Sequence, residues 1–268
     1  MTAFDVSERR IWDGRAGSYA RTFARLCAHT VPALLDAAST AAGTRLLDVG
    51  CGSGSVTVAA AGRGALVRAV DAEPGMVAAT RRAAPGVDVR IGALPQLPYQ
   101  DGEFDAVVAN FVLNHVGRPL DALVELRRVT RPGGRIAVTI WQVPGSPGQA
   151  LIGRAAQAAG LVRPDWLAGV DEEHDFPRTP DGLGALLSAA GLGDVRSERV
   201  DWDHRAHAED WWAGPAAGVA AIGQLVHSRG PEGVAAAKRE YDLLCGEFEG
   251  EDGLLVLPHA AVLAHGAA

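Results

Sequence analysis

Residues 46–55 read Leu46-Leu47-Asp48-Val49-Gly50-Cys51-Gly52-Ser53-Gly54-Ser55, and this stretch decides the fold. An apolar run that ends in an acid predicts a buried strand, and three glycines follow at alternate positions. Glycine lets the backbone turn sharply and lets a ligand lie directly against the main chain. The small apolar residues 56–61 predict a helix whose first N–H groups face an electron-rich ligand. This order predicts a nucleotide pocket at the carboxyl end of a first parallel strand.

Two kinds of nucleotide pocket compete for this turn. The dinucleotide fingerprint G-x-G-x-x-G requires a third glycine, and counted from Gly50 that position is Ser55. The pattern that is present, D-x-G-x-G-x-G from Asp48, resembles motif I of the class I S-adenosylmethionine-dependent methyltransferases. The resemblance implies that the turn accepts the amino-acid end of the cofactor and that Asp48 helps to orient it.

A second strand is predicted over residues 65–70, with Asp71 at its end. A carboxylate about 20 residues past the glycines can accept hydrogen bonds from both hydroxyls of a ribose. Because NAD and S-adenosylmethionine share the ribose, Asp71 indicates a nucleoside without choosing between them. The stretch 71–76 also resembles the family's D-x-S-P-x-M segment, which implies that Met76 packs near the adenine.

The third strand is predicted over residues 87–91, and the segment 92–99 after it resembles the family's G-D-A-x-x-L-P-F sequence. The acid that usually receives the adenine amino group would fall at position 93, where this chain has Ala93. We expect the backbone of Ala93 and Leu94 to bracket the adenine. We also expect weaker cofactor binding than in relatives that keep the acid.

Strand four and its surroundings give the last two matches. Residues 104–116 resemble the family's F-D-x-V-x-x-x-x-x-L-x-H-V motif, and an amphipathic helix is predicted over residues 121–129. Residues 131–135, Arg-Pro-Gly-Gly-Arg, end that helix before a fifth strand at residues 136–141. The resemblance implies an α/β, Rossmann-like fold: a seven-stranded, mostly parallel sheet of order 3-2-1-4-5-7-6, with N-terminal helices and a helical lid insertion.

The chain is predicted to divide into six segments around this core. A sixth strand is expected at residues 195–202 and a seventh at 254–257, and the long stretch between them is typical of a lid. The segments are an N-terminal helical cap (1–40), the S-adenosylmethionine-binding core (41–142), a connecting or substrate segment (143–180), the core continuation (181–202), the helical lid insertion (203–252) and the last core strand (253–268).

The resemblance implies a set of residues that bind the cofactor: Tyr19, Asp48, Gly50, Cys51, Gly52, Gly54, Asp71, Ala72, Met76, Ala93, Leu94 and Asn110. A second set is expected to face the methyl acceptor: Trp12, Asn114, Trp141, Trp211 and Trp212. Plain helix packing is an equal explanation for Trp12 and Tyr19. One of the two lid tryptophans has an equal claim to be an anchor of the insertion to the core.

His115 is the best-placed candidate for a catalytic base, because it follows strand four at the edge where the cofactor's sulfonium is expected. Histidine is the side chain that changes charge near neutral pH. A phenol acceptor, with a pKa of about 10, benefits from a base, whereas an unprotonated amine does not need one. The alternative is that His115 only shapes the pocket.

Composition excludes several classes of partner. The net charge of −7, the absence of a Lys/Arg stripe and the lack of an N/D-P-P-Y/F loop after strand four argue against nucleic acid. Three scattered cysteines give no metal spacing and no even disulfide set, so we expect no metal and a cytoplasmic location. No uncharged apolar stretch reaches about 18 residues, so we expect no membrane span. Whether the protein forms a homodimer stays open.

These observations predict S-adenosylmethionine-dependent methyl transfer to a small, aromatic or apolar metabolite, in secondary metabolism. The closest resemblance is to the ubiquinone/menaquinone-type and natural-product methyltransferases. Transfer to oxygen, nitrogen or carbon stays open. The alternatives are a methyltransferase-like protein that binds the cofactor as a cyclase or non-catalytic binding protein, and a nicotinamide oxidoreductase, which Ser55 disfavours.

Overall fold

A single sheet of seven strands runs through the computed structural model, which describes residues 1–268. In chain order the strands are β1 (Arg45–Val49), β2 (Leu66–Asp71), β3 (Asp88–Ile91), β4 (Phe104–Asn110), β5 (Thr130–Trp141), β6 (Gly193–Ala206) and β7 (Leu255–Ala267). Their order across the sheet is β3-β2-β1-β4-β5-β7-β6. This confirms the order that the family resemblance implied.

Only β7 runs against its neighbours. Strands β1 to β5 pair in parallel, and β7 pairs antiparallel with both β5 and β6. The carboxyl ends of the parallel strands therefore meet at one edge of the sheet. In open α/β sheets ligands bind outside that edge, so the loops after β1, β2, β4 and β5 define where a site can form.

Twelve helices surround the sheet. They are α1 (Ala3–Trp12), α2 (Ala16–Arg21), α3 (Phe23–Cys27), α4 (Val31–Ala37), α5 (Ser55–Gly62), α6 (Pro74–Ala83), α7 (Pro119–Val129), α8 (Pro147–Ala158), α9 (Pro180–Ala189), α10 (Ala208–Ala216), α11 (Ala220–Val226) and α12 (Gly230–Cys245). None of them combines the length and the apolar composition that crossing a bilayer requires.

The core lies on both faces of the sheet. On one face the central strands pack against α7 and α9, with Leu123 and Leu183 fully buried. On the other face they pack against α4 and α5, with Leu34 and Ala60 fully buried. Because both faces are covered, the central strands carry runs of consecutive apolar residues, such as Ala106–Ala109 in β4, rather than apolar residues at alternate positions. Each such leucine contributes about 1.5–3 kcal/mol by leaving water.

Both C-terminal strands are longer than the sequence predicted. Strand β6 was expected at residues 195–202 and spans Gly193–Ala206, and β7 was expected at 254–257 and spans Leu255–Ala267. The end residues of β6 are hard to recognise because it is an edge strand with charged, exposed side chains. Strand β7 contains four alanines, which favour helix in isolation, and it is a strand because β5 and β6 pair with it on both sides.

The insertion between β6 and β7 forms a packed helical layer. It comprises α10, α11 and α12, and α12 packs along α8. Together these helices bury their own apolar cluster, which includes Leu151, Trp212 and Tyr241. The insertion is therefore joined to the rest of the protein by a second hydrophobic core, and it begins after Ala206 rather than at residue 203.

Candidate active site

The glycine turn after β1 has the backbone that its sequence predicts. Gly50, Gly52 and Gly54 have φ angles of 65°, 56° and 96°, a region that residues with a Cβ rarely adopt. A Cβ at Gly50 would also collide with the side chain of Val112. Helix α5 starts directly after Gly54, so its free N–H groups open toward the same edge.

Asp71, the last residue of β2, is bound to this turn. The N–H of Gly52 donates to Oδ2 at 2.9 Å, and the N–H of Glu73 donates to Oδ1 at 3.0 Å. Burial raises the pKa of Asp71, although these two N–H bonds oppose the effect. The carboxylate thus has a fixed position beside the turn, where its remaining lone pairs can accept hydroxyl groups of a ligand.

Asp48 is almost fully buried, with 1% of its surface exposed, and one of its oxygens has no partner. Thr57 donates to Oδ2 at 2.5 Å, while Oδ1 is buried without a hydrogen bond. Burial raises the pKa of Asp48 to about 7, with the negative charge of Asp71 adding to the effect. An orphaned oxygen of this kind requires a donor, and the ammonium group of an amino-acid ligand fits the requirement.

Tyr19 lies over the turn. A Cβ at Gly52 would be 3.3 Å from Cε1 of the Tyr19 ring, so the ring rests directly on the backbone of the turn. Burial raises the pKa of Tyr19 well above its ordinary value, and Cys27 and Asp71 add to the effect. The sequence placed Tyr19 over the cofactor, and its observed position beside the turn is compatible with that prediction.

The remaining predicted cofactor residues are spread around the same edge. Cys51 and Met76 are buried, and the N–H of Cys51 donates to the carbonyl of Val70. Ala93 forms a bridge with Gln96 in the segment after β3, and Leu94 packs against the core. These contacts do not test whether Cys51, Ala72, Met76, Ala93 and Leu94 bind the cofactor, so those roles stay predictions.

The side chain of Asn110 is occupied by the protein itself. Its Oδ1 accepts from Thr30 at 2.7 Å and from Thr139 at 2.6 Å, and its Nδ2 donates to the carbonyl of Cys27 at 3.0 Å. The amide therefore ties the N-terminal helices to β4 and β5. Only the second Nδ2 hydrogen and the backbone of Asn110 are left to meet a cofactor.

His115 has a carboxylate partner that the sequence analysis missed. Nδ1 of His115 lies 2.8 Å from Oε2 of Glu8 on α1, and the indole N–H of Trp12 donates to the same oxygen at 3.1 Å. The Trp12 ring also packs edge-on against both His115 and Tyr19. Glu8 and Trp12 are four residues apart, which places them on one helix face, but nothing in the sequence indicated contact with a residue more than a hundred positions away.

Helix α1 is fixed beside His115 by its own first turn. Thr2 and Asp5 form a reciprocal capping box, and Oδ1 of Asp5 accepts the N–H of Gly117 at 2.8 Å. A Cβ at Gly117 would collide with Oγ1 of Thr2, so the close approach requires glycine. The loop after β4 and the N-terminal helix therefore form one unit.

A group of rings, which we call the aromatic–imidazole cluster, lies beside the carboxyl ends of β4 and β5. Phe111 and Trp141 stack with centroids 4.1 Å apart, and Trp202 and His259, which are partners across β6 and β7, stack at 5.9 Å. The members are Phe23, His29, Phe111, Trp141, Trp202, His204, Trp211 and His259. Of these residues the sequence analysis predicted only Trp141 and Trp211. It missed His259 because the strand predicted at residues 254–257 ends before that residue.

The cluster has polar atoms but no carboxylate, ammonium or guanidinium among its members. The buried indole N–H groups of Trp202 and Trp211 have no hydrogen-bond partner. Burial lowers the pKa of His204 and of His259 to about 4 in each case, so both are neutral at pH 7. Such a surface is suited to an uncharged, flat molecule with a hydrogen-bond acceptor.

One residue at the carboxyl end of the strands shows a strained backbone. Phe111 has a φ of 59°, which is rare for a bulky residue. Its N–H donates to both the carbonyl and Oγ1 of Thr139, each at 3.0 Å, and its ring stacks on Trp141. Strain of this kind is typical of functional sites, where the surroundings hold it in place.

Two predicted acceptor residues lie away from the cluster contacts. Trp212 is buried against Tyr241 in the core of the insertion, with centroids 5.0 Å apart. Asn114 makes a single long bond, from Nδ2 to the carbonyl of Phe111 at 3.4 Å. The structure thus brings Trp12 to His115 and brings Trp141 to Trp202, but it does not bring Trp212 to either group.

The neutral histidines predict a pH dependence of stability. A folded pKa of about 4 for His259 lies below its ordinary value of 6.5, so the unfolded chain binds the proton first as the pH falls. The neutral, buried His259 contributes fully to the free energy of unfolding above about pH 6.5. This contribution is lost progressively as the pH falls from there through about 4. At pH 5 the loss is about 2 kcal/mol. The raised pKa of Asp48 acts in the opposite direction.

The measurement is therefore the free energy of unfolding of wild type and of His259→Gln, determined by chemical denaturation at pH 7 and pH 5. We expect wild type to lose about 2 kcal/mol more than the variant over that interval. Exposed His207 gives the matched control, since His207→Gln should change with pH as wild type does. An equal loss in wild type and His259→Gln would contradict the prediction.

Comparison with known proteins defines the class. A model of the methyltransferase domain family matches residues 47–138. A demethylmenaquinone methyltransferase from Beutenbergia cavernae is 36% identical over 171 residues, which cover 61% of this chain and 71% of that protein. The chain belongs to the class I S-adenosylmethionine-dependent methyltransferases.

Two further comparisons show how far the likeness extends. A demethylmenaquinone methyltransferase from Renibacterium salmoninarum is 38% identical over 111 residues, 41% of this chain and 47% of that protein. The crystal structure of an S-adenosylmethionine-dependent methyltransferase from Thermotoga maritima superposes with a TM-score of 0.57 at 17% identity, covering 97% of this chain and 99% of that one. The second comparison supports the fold alone.

Proposed function

We propose that the protein transfers the methyl group of S-adenosylmethionine to a small, uncharged aromatic acceptor. The observation that carries the proposal is the meeting of two surfaces at one edge of the sheet. One is the turn with the orphaned oxygen of Asp48, and the other is the aromatic–imidazole cluster. The names of the menaquinone-type relatives support an acceptor of this kind.

The residues of the turn fit the cofactor part by part. Asp71 would accept the ribose hydroxyls, and Oδ1 of Asp48 would accept from the amino-acid ammonium. The open N–H groups at the start of α5 would face the carboxylate end. When bound, S-adenosylmethionine supplies a methyl group on a positively charged sulfur.

The protein contributes to the reaction by aligning the acceptor with the methyl group and by excluding water. In-line transfer gains most from holding the acceptor about 3 Å from the methyl group. Tyr19 covers the turn, and the Phe111–Trp141 stack forms a wall beside it. These rings would exclude water from the transfer. His115, at the same edge, is the residue we propose as the base.

The test is an incubation with S-adenosylmethionine and a panel of hydroxylated aromatics and aromatic amines, with release of S-adenosylhomocysteine as the readout. We expect release with at least one flat aromatic acceptor and none without an acceptor. Cofactor binding without release across the panel would instead support a methyltransferase-like binding protein or cyclase. The expected place in secondary metabolism and the cytoplasmic location stay predictions.

The indole N–H of Trp211 provides a test of the acceptor wall. Trp211 is 5% exposed, and its Nε1 has no partner. We expect Trp211→Phe to raise KM for the acceptor about 2- to 12-fold, because an uncharged hydrogen bond contributes roughly 0.5–1.5 kcal/mol. The free protein loses no hydrogen bond, so the change in stability should come only from the smaller buried ring.

Trp212→Phe is the matched control, because Trp212 packs on Tyr241 in the insertion core. We expect it to leave KM for the acceptor unchanged. Equal KM values for wild type and Trp211→Phe would show that the indole N–H does not bind the acceptor.

A further inference from the structure

Glu8 is a buried carboxylate with a specific partner. It is 8% exposed, and its Oε2 receives both His115 Nδ1 and the Trp12 indole N–H. His115 is its only ion-pair partner, with no arginine or lysine involved. An isolated buried carboxylate costs several kcal/mol, so this arrangement stabilises the pair most when the imidazole is positively charged.

We propose that Glu8 is a positioning residue that makes His115 a base for an acceptor hydroxyl, such as that of a phenol or enol. The inference rests on the proposed methyl transfer and narrows its substrate class. With Nδ1–H directed to Glu8, the other ring nitrogen, Nε2, carries the lone pair. No protein group bonds to Nε2 in the structure, and 33% of the His115 side chain is exposed.

The proton and electrons balance in one displacement. The hydroxyl proton moves to Nε2 of His115, and the oxygen electron pair forms the new bond to the methyl carbon. The carbon–sulfur bond breaks with its electrons on sulfur, which leaves S-adenosylhomocysteine. The imidazolium is then paired with Glu8, and the proton passes to water.

A hydroxyl fits this arrangement better than an amine does. A phenol keeps its proton at pH 7, so its removal is part of the reaction, whereas an aromatic amine already has a free lone pair. A carboxylate that only stabilises an imidazolium would contribute nothing to an acceptor that releases no proton before attack. The Glu8–His115 pair therefore indicates an acidic hydroxyl on the acceptor.

The charged surroundings of the pair are few. Helix α11, which packs against α1, has no ionisable residue between Ala220 and Val226. The other ionisable groups on α1, on the loop after β4 and beside Trp12 are Asp5 bound to Gly117, exposed Arg9, Arg10 over Trp166, Arg118 near Asp121, and Tyr19. Glu8 is thus the group whose removal alters His115 most directly.

The test compares Glu8→Gln with wild type, using Asp13→Asn as the control that removes one exposed negative charge from the end of the same helix. On a phenolic acceptor we expect Glu8→Gln to lower kcat about 10- to 100-fold. Asp13→Asn should match wild type, and Glu8→Asp should recover part of kcat.

A spectroscopic readout separates this inference from the proposed function. In ¹⁵N spectra of labelled protein above the titration range of the ring, we expect wild-type His115 to be protonated at Nδ1. Glu8→Gln should give a mixture of both tautomers. A mixed wild-type ring, or a Glu8→Gln enzyme with unchanged kcat, would overturn the role of Glu8. Failure of methyl transfer itself would show as an absence of S-adenosylhomocysteine in wild type.

Discussion

An Asp71→Ala variant is expected to bind S-adenosylmethionine at least about 100-fold more weakly than wild type. Charge-assisted hydrogen bonds contribute roughly 1.5–3 kcal/mol each, and the proposed pair of bonds to the ribose would be lost together. The N–H groups of Gly52 and Glu73 would also lose their acceptor, so the turn itself would loosen. Titration calorimetry measures the change.

Asp88→Ala is the matched control for this prediction. Asp88 begins β3 at the opposite edge of the same sheet, where it pairs with Arg90 on the surface. We expect its cofactor affinity to equal that of wild type. Similar affinities for wild type and Asp71→Ala would show that the ribose is not held at the end of β2.

A His115→Ala variant is expected to lose about 10²- to 10⁴-fold in the single-turnover rate of methyl transfer to a phenolic acceptor, the range for removal of a general base. Its affinity for S-adenosylmethionine should stay within a few-fold of wild type, because the proposed cofactor contacts lie at Asp48 and Asp71. Rapid-quench measurement of S-adenosylhomocysteine, together with calorimetry, separates the two effects.

His174→Ala serves as the control, since His174 lies on the segment before α9 and contacts Glu173. It should retain the wild-type rate. A His115→Ala enzyme with the full rate would leave His115 as a residue that only shapes the pocket, which was the alternative reading of its sequence position.

The position of the glycine turn could be predicted because local sequence determines it, whereas the sheet order followed from the family resemblance. The turn needs glycines at positive φ, and Asp71 follows from the length of one strand–helix–strand unit. The end of α9 is equally local, since Gly191 after it has a left-handed backbone with a φ of 84°. Such features depend on neighbours in the chain.

Glu8 and His259 could not be predicted because their partners are distant in sequence. Glu8 reaches His115 only when α1 docks on the loop after β4, and His259 reaches Trp202 only when β7 pairs with β6. Asn110 shows the opposite case: its position suggested a cofactor ligand, yet Thr30 and Thr139 occupy its side chain. Contacts between elements decided which side chains are free to meet a ligand.

The most direct test of the account uses S-adenosylmethionine labelled in its methyl group with a hydroxylated aromatic acceptor. Mass spectrometry would follow both products in wild type and in Asp71→Ala. We expect the label in the acceptor and S-adenosylhomocysteine in equal amount, with both products formed at least about 100-fold more slowly by Asp71→Ala at limiting cofactor concentration. A wild-type protein that binds the cofactor but leaves the label on it, across the panel of acceptors, would contradict the account.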